Sequence, residues 1–120
     1  MKILIVDDSK AMRMIVRRTL RQAGFGEHSV EEAANGKEAL GLVQNGTPDL
    51  ILCDWNMPEM NGIDLLRNLN EAGTTVKFGF VTSEGTPAMH KLASDNGAMF
   101  FITKPFTVET FQEALNSVMS

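Results

Sequence analysis

The sequence predicts an α/β protein built on a single doubly wound sheet of five parallel strands with five helices. Three observations predict it. Five short apolar runs, at 2–6, 29–33, 49–53, 76–82 and 98–102, alternate with segments of helical spacing, and strands alternating with helices assemble into a parallel sheet covered on both faces. The runs at 3–6 and 50–53 are continuously apolar, as strands buried on both sides require. The 120 residues, 43% hydrophobic and 22% charged, match one ordinary globular domain spanning 1–120, with no repeat, low-complexity tract or linker.

The first run, Lys2 to Val6, ends at a pair of aspartates, Asp7 and Asp8. Met12, Ile15, Val16, Thr19, Leu20 and Ala23 then recur at the spacing of one buried helix face, and Gly24 sits where that helix stops. The second run, 29–33, leads through Asn35-Gly36, a turn and helix-start signal, into a helix at 36–45. The third run, 49–53, ends at Asp54, and a second such signal, Asn61-Gly62, opens a helix at 61–72. The fourth, 76–82, ends at Thr82-Ser83; Gly79 weakens a strand that should be central, and the pattern offers no reason for it. A helix at 86–96 follows. After the fifth run and Lys104-Pro105, Val108, Phe111, Leu115 and Val118 mark the buried face of a last helix at 107–119. Glycines at 46, 73 and 97 punctuate the ends of the middle helices.

A net charge of −4 is a poor match for a polyphosphate backbone, so no nucleic-acid partner is expected. No apolar stretch reaches the roughly 20 residues of a membrane span or the roughly 7–15 of a signal-peptide core, so a soluble, cytoplasmic protein without membrane contact is expected. The one cysteine, Cys53, fits a reducing compartment and makes neither a disulfide nor a thiolate cage. It precedes Asp54 in a strand, so its side chain points to the opposite face and reads as a small buried hydrophobe.

In an open α/β sheet, sites gather beyond the carboxyl ends of the strands, where strand order reverses. Asp7, Asp8, Asp54, Thr82, Ser83 and Lys104 all stand at such ends. Three packed carboxylates repel one another, and a divalent cation together with one ammonium neutralises them. A hard oxygen donor set with few protein ligands suits Mg2+, which shares its shell with water and phosphate.

These residues carry a resemblance. Ile5-Val6-Asp7-Asp8-Ser9, Asn35-Gly36, Pro48-Asp49-Leu50-Ile51-Leu52-Cys53-Asp54, Met57-Pro58-Glu59-Met60-Asn61-Gly62, Thr82-Ser83 and Lys104-Pro105-Phe106 resemble the receiver domains of two-component response regulators over nearly the whole chain. Asp54-Trp55-Asn56-Met57-Pro58 and Met12-Arg13-Met14-Ile15-Val16-Arg17 look most like the stand-alone CheY-type chemotaxis regulators, and the chain stops where such a receiver stops. The resemblance implies a flavodoxin-like fold and a phosphoryl group accepted on Asp54 from a CheA-type histidine kinase. It implies Mg2+ held by Asp8, Asp54 and the backbone carbonyl of Asn56, with Asp7 acting through water. Lys104 and Thr82 would bind phosphoryl oxygens, and Asn56 and Glu84 would tune decay. Thr82 and Phe101 would form a switch that reshapes the fourth helix, the fifth strand and the last helix for an output protein such as the flagellar motor switch. The expected molecule is a monomeric signalling switch that promotes only its own phosphorylation and dephosphorylation.

Two departures stand out. Phe101 occupies a position where CheY-type proteins usually carry tyrosine, so it has no hydroxyl to hydrogen-bond in either state. Ser83 stands where alanine is common and reads as neutral or as an extra weak donor. The stripe Arg13, Arg17, Arg21 reads as a solvated face, with kinase docking as the alternative. His28 and His90 lack ligand partners at metal spacing and read as surface residues. Met12, Met89 and Met99 read as core filler, and Met57-Pro58 as shaping the loop over the metal. Competing functions are a phosphorelay shuttle or phosphate sink, a small aspartyl-phosphate phosphohydrolase, and a flavin-binding electron carrier. Asn56 stands where the phosphohydrolase needs a second acid–base aspartate, and Asp7-Asp8 would repel a cofactor phosphate.

Overall fold

The computed structural model describes residues 1–119. Its elements run β1 (Lys2–Val6), α1 (Lys10–Leu20), β2 (Ser29–Ala33), α2 (Gly36–Gln44), β3 (Leu50–Cys53), α3 (Gly62–Glu71), β4 (Lys77–Thr82), α4 (Pro87–Asp95), β5 (Phe100–Thr103) and α5 (Val108–Met119). The strands form one sheet in the order β2-β1-β3-β4-β5, every neighbouring pair parallel. The chain steps from β1 outward to β2 and then back across to β3, so strand order reverses between β1 and β3. This is the doubly wound α/β fold the alternation predicts.

Side-chain alternation along the strands splits the core into two layers. Ile3, Ile5, Leu50, Leu52, Val81 and Ile102 pack with Val16 and Leu20 of α1 and Phe111, Leu115 and Val118 of α5. Leu4, Val6, Ile51, Cys53, Phe78 and Phe80 face the other way, onto Ala39 and Val43 of α2, Leu65, Leu66 and Leu69 of α3, and Ala93 of α4. Each of the large apolar side chains buried here contributes roughly 1.5–3 kcal/mol over its exposed state.

Side chains cap the helix starts, at Asn35 and Asn61 as the sequence signals predict and at Ser9 and Thr86 beyond them. Ser9, Asn35, Asn61 and Thr86 each accept a hydrogen bond from a backbone N–H in the first turn of their helix. Thr107 and Thr110 cap α5 reciprocally, each side-chain oxygen taking the other's backbone N–H at 3.1 and 3.0 Å.

The fourth strand's glycine has a physical reason. Gly79 pairs with Phe100 of β5, and a Cβ at Gly79 would lie 2.1 Å from the Phe100 ring. The missing side chain is the space in which that ring lies across β4.

Several expectations are corrected. Regular α1 ends at Leu20; a wider π-type turn, Arg21–Phe25, carries the chain on, and Gly24 lies inside it at φ +98°. Ile15, expected on the buried face, is 37% exposed. β5 starts at Phe100 because the backbone N–H of Ala98 is spent on the Ala93 carbonyl, closing α4. Met99 is 56% exposed and fills no core, whereas Met12 and Met89 pack against it as expected. The arginine stripe is not a solvated face. Arg13 Nε and Arg17 Nη2 both lie 2.9 Å from Glu32 on β2, and Arg13 also donates to the Asp7 carbonyl at 2.6 Å. Arg21 alone of the three stays exposed and outside these pairs.

Candidate functional site

Backbone hydrogen bonds continue the strand ladder past the strands' carboxyl ends. Asp7 N–H donates to the Ala33 carbonyl, Asp54 N–H to that of Val6, and Lys104 N–H to that of Thr82. The three chemically important residues therefore stand on the rigid edge of the sheet. Asp7 and Asp54 flank the point where strand order reverses. Gly62 lets α3 press onto this edge: its N–H donates to the Trp55 carbonyl at 2.8 Å, and a Cβ there would lie 2.2 Å from the Asp54 carbonyl oxygen.

Lys104 Nζ lies 2.9 Å from Asp7 Oδ2 and 3.5 Å from Asp54 Oδ2. Asp54 Oδ1 accepts from the Trp55 backbone N–H at 2.7 Å. Burial pushes the Asp54 carboxyl above the usual carboxylate range and the Asp7 carboxylate pushes it further. The Lys104 ammonium pulls against both, helped by hydrogen bonds from the Thr82 hydroxyl and the Trp55 N–H, and burial prevails. Cys53, on the opposite face, donates its thiol to the Asp54 carbonyl at 3.1 Å. Burial, then Asp54 and Asp7, raise that thiol far above its ordinary value, so it is the inert hydrophobe expected.

Asp7, Asp8 and Asp54 offer oxygens that all lie within 4.8 Å of one another. The all-carboxylate donor set fits a hard divalent cation such as Mg2+. The three donors are unequal. Asp7 is buried, with Oδ1 taking the Ser9 N–H and Oδ2 facing Lys104, while Asp8 is exposed. Asn56 is exposed on the loop that follows, and Met57 packs back on the core. Thr82 is fully buried, its oxygen 3.4 Å from the Glu84 N–H; Ser83 and Glu84 are exposed.

Phe101, on β5, is half-buried at the end of a run of rings. Trp55 and Phe80 have centroids 4.9 Å apart, Phe80 and Phe101 5.8 Å, and Trp55 and Phe101 6.2 Å. His90 is exposed, as expected of a surface residue, and its ring also stacks on Phe101 with centroids 3.9 Å apart. The signal was helical period, since His90 stands three residues before Ala93, the buried residue of α4. His28 takes the N-terminal amine at 3.3 Å and stacks on Phe25. Among the described residues, no helix is long and apolar enough to cross a membrane.

Residues 3–116 match the family model of the response regulator receiver domain. The chain is 40% identical over 120 residues to chemotaxis protein CheY-3 of Vibrio cholerae, covering 98% of this chain and 91% of that one. It is 38% identical over 122 residues to chemotaxis protein CheY1 of Helicobacter pylori, covering 99% and 97%. The crystal structure of Vibrio cholerae CheY4 superposes with a TM-score of 0.86 at 34% identity, covering 98% of each chain. A CheY-like receiver domain protein of Methanospirillum hungatei superposes with a TM-score of 0.84 at 28% identity, covering 97% of this chain and 90% of that one. With its acidic cluster at the sheet's switch point and Lys104 closing it, this chain belongs to the response regulator receiver domains of two-component signalling, in their CheY-like branch.

Proposed function

We propose that the chain accepts a phosphoryl group on Asp54 from a CheA-type histidine kinase and, in that form, binds an output protein of the chemotaxis apparatus in the cytoplasm. The observation that carries this reading is the Lys104 ammonium, placed between Asp7 at 2.9 Å and Asp54 at 3.5 Å. It offsets the carboxylates' mutual repulsion and pulls Asp54 toward its ionised, nucleophilic form against burial. The Asp54 oxygen attacks the phosphorus of a phosphohistidine. The P–N bond breaks, the imidazole takes a proton from water, and Asp54 becomes an acyl phosphate. Lys104 and the Thr82 hydroxyl hold phosphoryl oxygens. Asp8, Asp54 and the Asn56 carbonyl would hold Mg2+, which when bound would neutralise charge on the phosphoryl group. Asp7 is assigned a water-mediated role because it is the buried one of the three carboxylates and holds Lys104 most closely, whereas Asp8 is exposed. The acyl phosphate is labile, so water ends the signal, and exposed Asn56 and Glu84 stand where they can influence its approach.

Chemotaxis is the process named for the Vibrio and Helicobacter relatives, and the flagellar motor switch is the output it suggests. Acetyl phosphate with Mg2+ is expected to add one phosphoryl group by intact-protein mass spectrometry, and Asp54→Asn to abolish the gain. Equal labelling of the variant would place the acceptor elsewhere.

A further inference from the structure

Phe101 has no hydroxyl, yet a residue at the centre of a switch needs something to define its resting position. The rings on either side of it differ in kind. Phe80 is fully buried and belongs to the fixed core of β4, while His90 sits on α4 and is exposed. The His90–Phe101 pair is the tightest of the aromatic contacts among the described residues, at 3.9 Å between centroids and 27° between planes. A Cβ at Gly85 would lie 3.3 Å from His90 Nε2, 3.6 Å from the Phe101 ring and 3.2 Å from Thr103 Oγ1, so the loop before α4 closes over the same two rings. α4 is otherwise lightly anchored: Ala93 is its only fully buried residue among those described.

We propose that His90 is a positioning residue for the switch: its ring holds Phe101 in the resting arrangement and ties the ring's movement to α4. This deepens the reading above and rests on phosphorylation of Asp54. The contact does for Phe101 what a hydroxyl hydrogen bond cannot. A flat ring at position 90 is what the role requires. A stacked ring pair contributes beyond its buried area, and that contribution opposes departure of Phe101 from its resting place. A ligand at Asp54 that favours the other arrangement must work against it, so removing the ring makes that ligand bind more tightly. Phe101 and α4 then respond to the same event, because Phe101 cannot leave without breaking its stack on α4.

The test uses the full chain with labelled aromatic rings, Mg2+ and beryllofluoride, a mimic of the phosphoryl group. Expected in the free wild type are cross-relaxation between the His90 and Phe101 ring protons and upfield shifts of both. Beryllofluoride is expected to move the two sets of signals together. His90→Ala is expected to move the Phe101 ring signals before any ligand is added and to tighten beryllofluoride by about threefold or more. His90→Phe, which keeps a flat ring, is expected to restore the wild-type affinity, a rescue that bulk packing by His90→Leu does not give. Unmoved Phe101 signals in His90→Ala, unchanged or weaker beryllofluoride binding, or rescue by His90→Leu as complete as by His90→Phe each overturn the proposal while a response at Trp55 leaves the phosphoacceptor reading standing. No response at Trp55 in wild type overturns that reading and the positioning role with it.

Discussion

Lys104 is the residue on which the site's electrostatics turn. Its ammonium is almost buried beside two carboxylates, and without it Asp7 and Asp54 face each other unscreened. Even with it, burial leaves Asp54 above the ordinary carboxylate range. Folding therefore favours the protonated form of Asp54. The stabilisation is fully present below the ordinary value of about 4 and is lost as pH rises through the raised one. Asp54→Asn is expected to raise the urea midpoint at pH 7 in the absence of Mg2+, with the gain shrinking to nothing toward pH 4. A midpoint that falls at pH 7 would show that the ion pair with Lys104 outweighs burial. Glu32 has the opposite sign. Burial pushes it up, but the Arg13 and Arg17 guanidiniums outweigh that and hold it below the usual range, so its contribution is lost as pH falls. The unequal carboxylates give a second test. Trp55, whose backbone N–H donates to Asp54, is expected to report Mg2+ by fluorescence. Asp8→Ala is expected to weaken the titration more than Asp7→Ala; equal losses would make Asp7 a direct ligand.

At the scale of elements, β4 and β5 are fitted to each other by one missing side chain. Gly79→Ala drives a methyl into the Phe100 ring, and the central strand cannot retreat between β3 and β5. The expected cost is about 1–3 kcal/mol in urea denaturation. Phe100→Val in the same chain is expected to restore most of it, and failure of that rescue would assign the cost to the backbone of β4. This fit was not legible in the sequence. Strand pattern places Gly79 and Phe100 in their own runs but contains nothing about register between runs, and register is what brings them together. The same limit hid the Arg13 and Arg17 pairing with Glu32, which depends on α1 crossing β2. The site residues escaped it. Asp7, Asp54, Thr82 and Lys104 stand at strand ends, and parallel strands place all their carboxyl ends on one edge whatever the register. His90 lay between the two cases: its place one turn before Ala93 on α4 follows from period, while the Phe101 ring it stacks on comes from another element.

At the scale of the whole molecule, a charge arriving at one edge of the sheet must change a surface further along it. Phosphorylation adds about 1.5–2 negative charges and strong acceptor oxygens. Thr82 is the hydroxyl already bonded toward Asp54, and it is fully buried at the end of β4, beside the loop that leads to α4. If Thr82 turns toward the phosphoryl group, the space it leaves lies under that loop. Phe101 is the half-buried ring on the neighbouring strand, in register with Phe80 and next to Ile102, the partner of Val81. It is the side chain placed to move into that space, and α4, β5 and α5 are the surface that would change. Of these residues only Thr82 would touch the phosphoryl group, and Lys104 would remain to hold its oxygens. Thr82→Ala is therefore expected to keep acetyl phosphate labelling of Asp54 while losing about 1 kcal/mol of stability with the hydrogen bond. In chemical-shift mapping with beryllofluoride, the wild type should show changes from Asp54 through Phe101 to α5. In Thr82→Ala they should stop at the carboxylates. Changes that still reach α5 in the variant would mean that the signal travels by the Trp55–Phe80–Phe101 rings without the threonine.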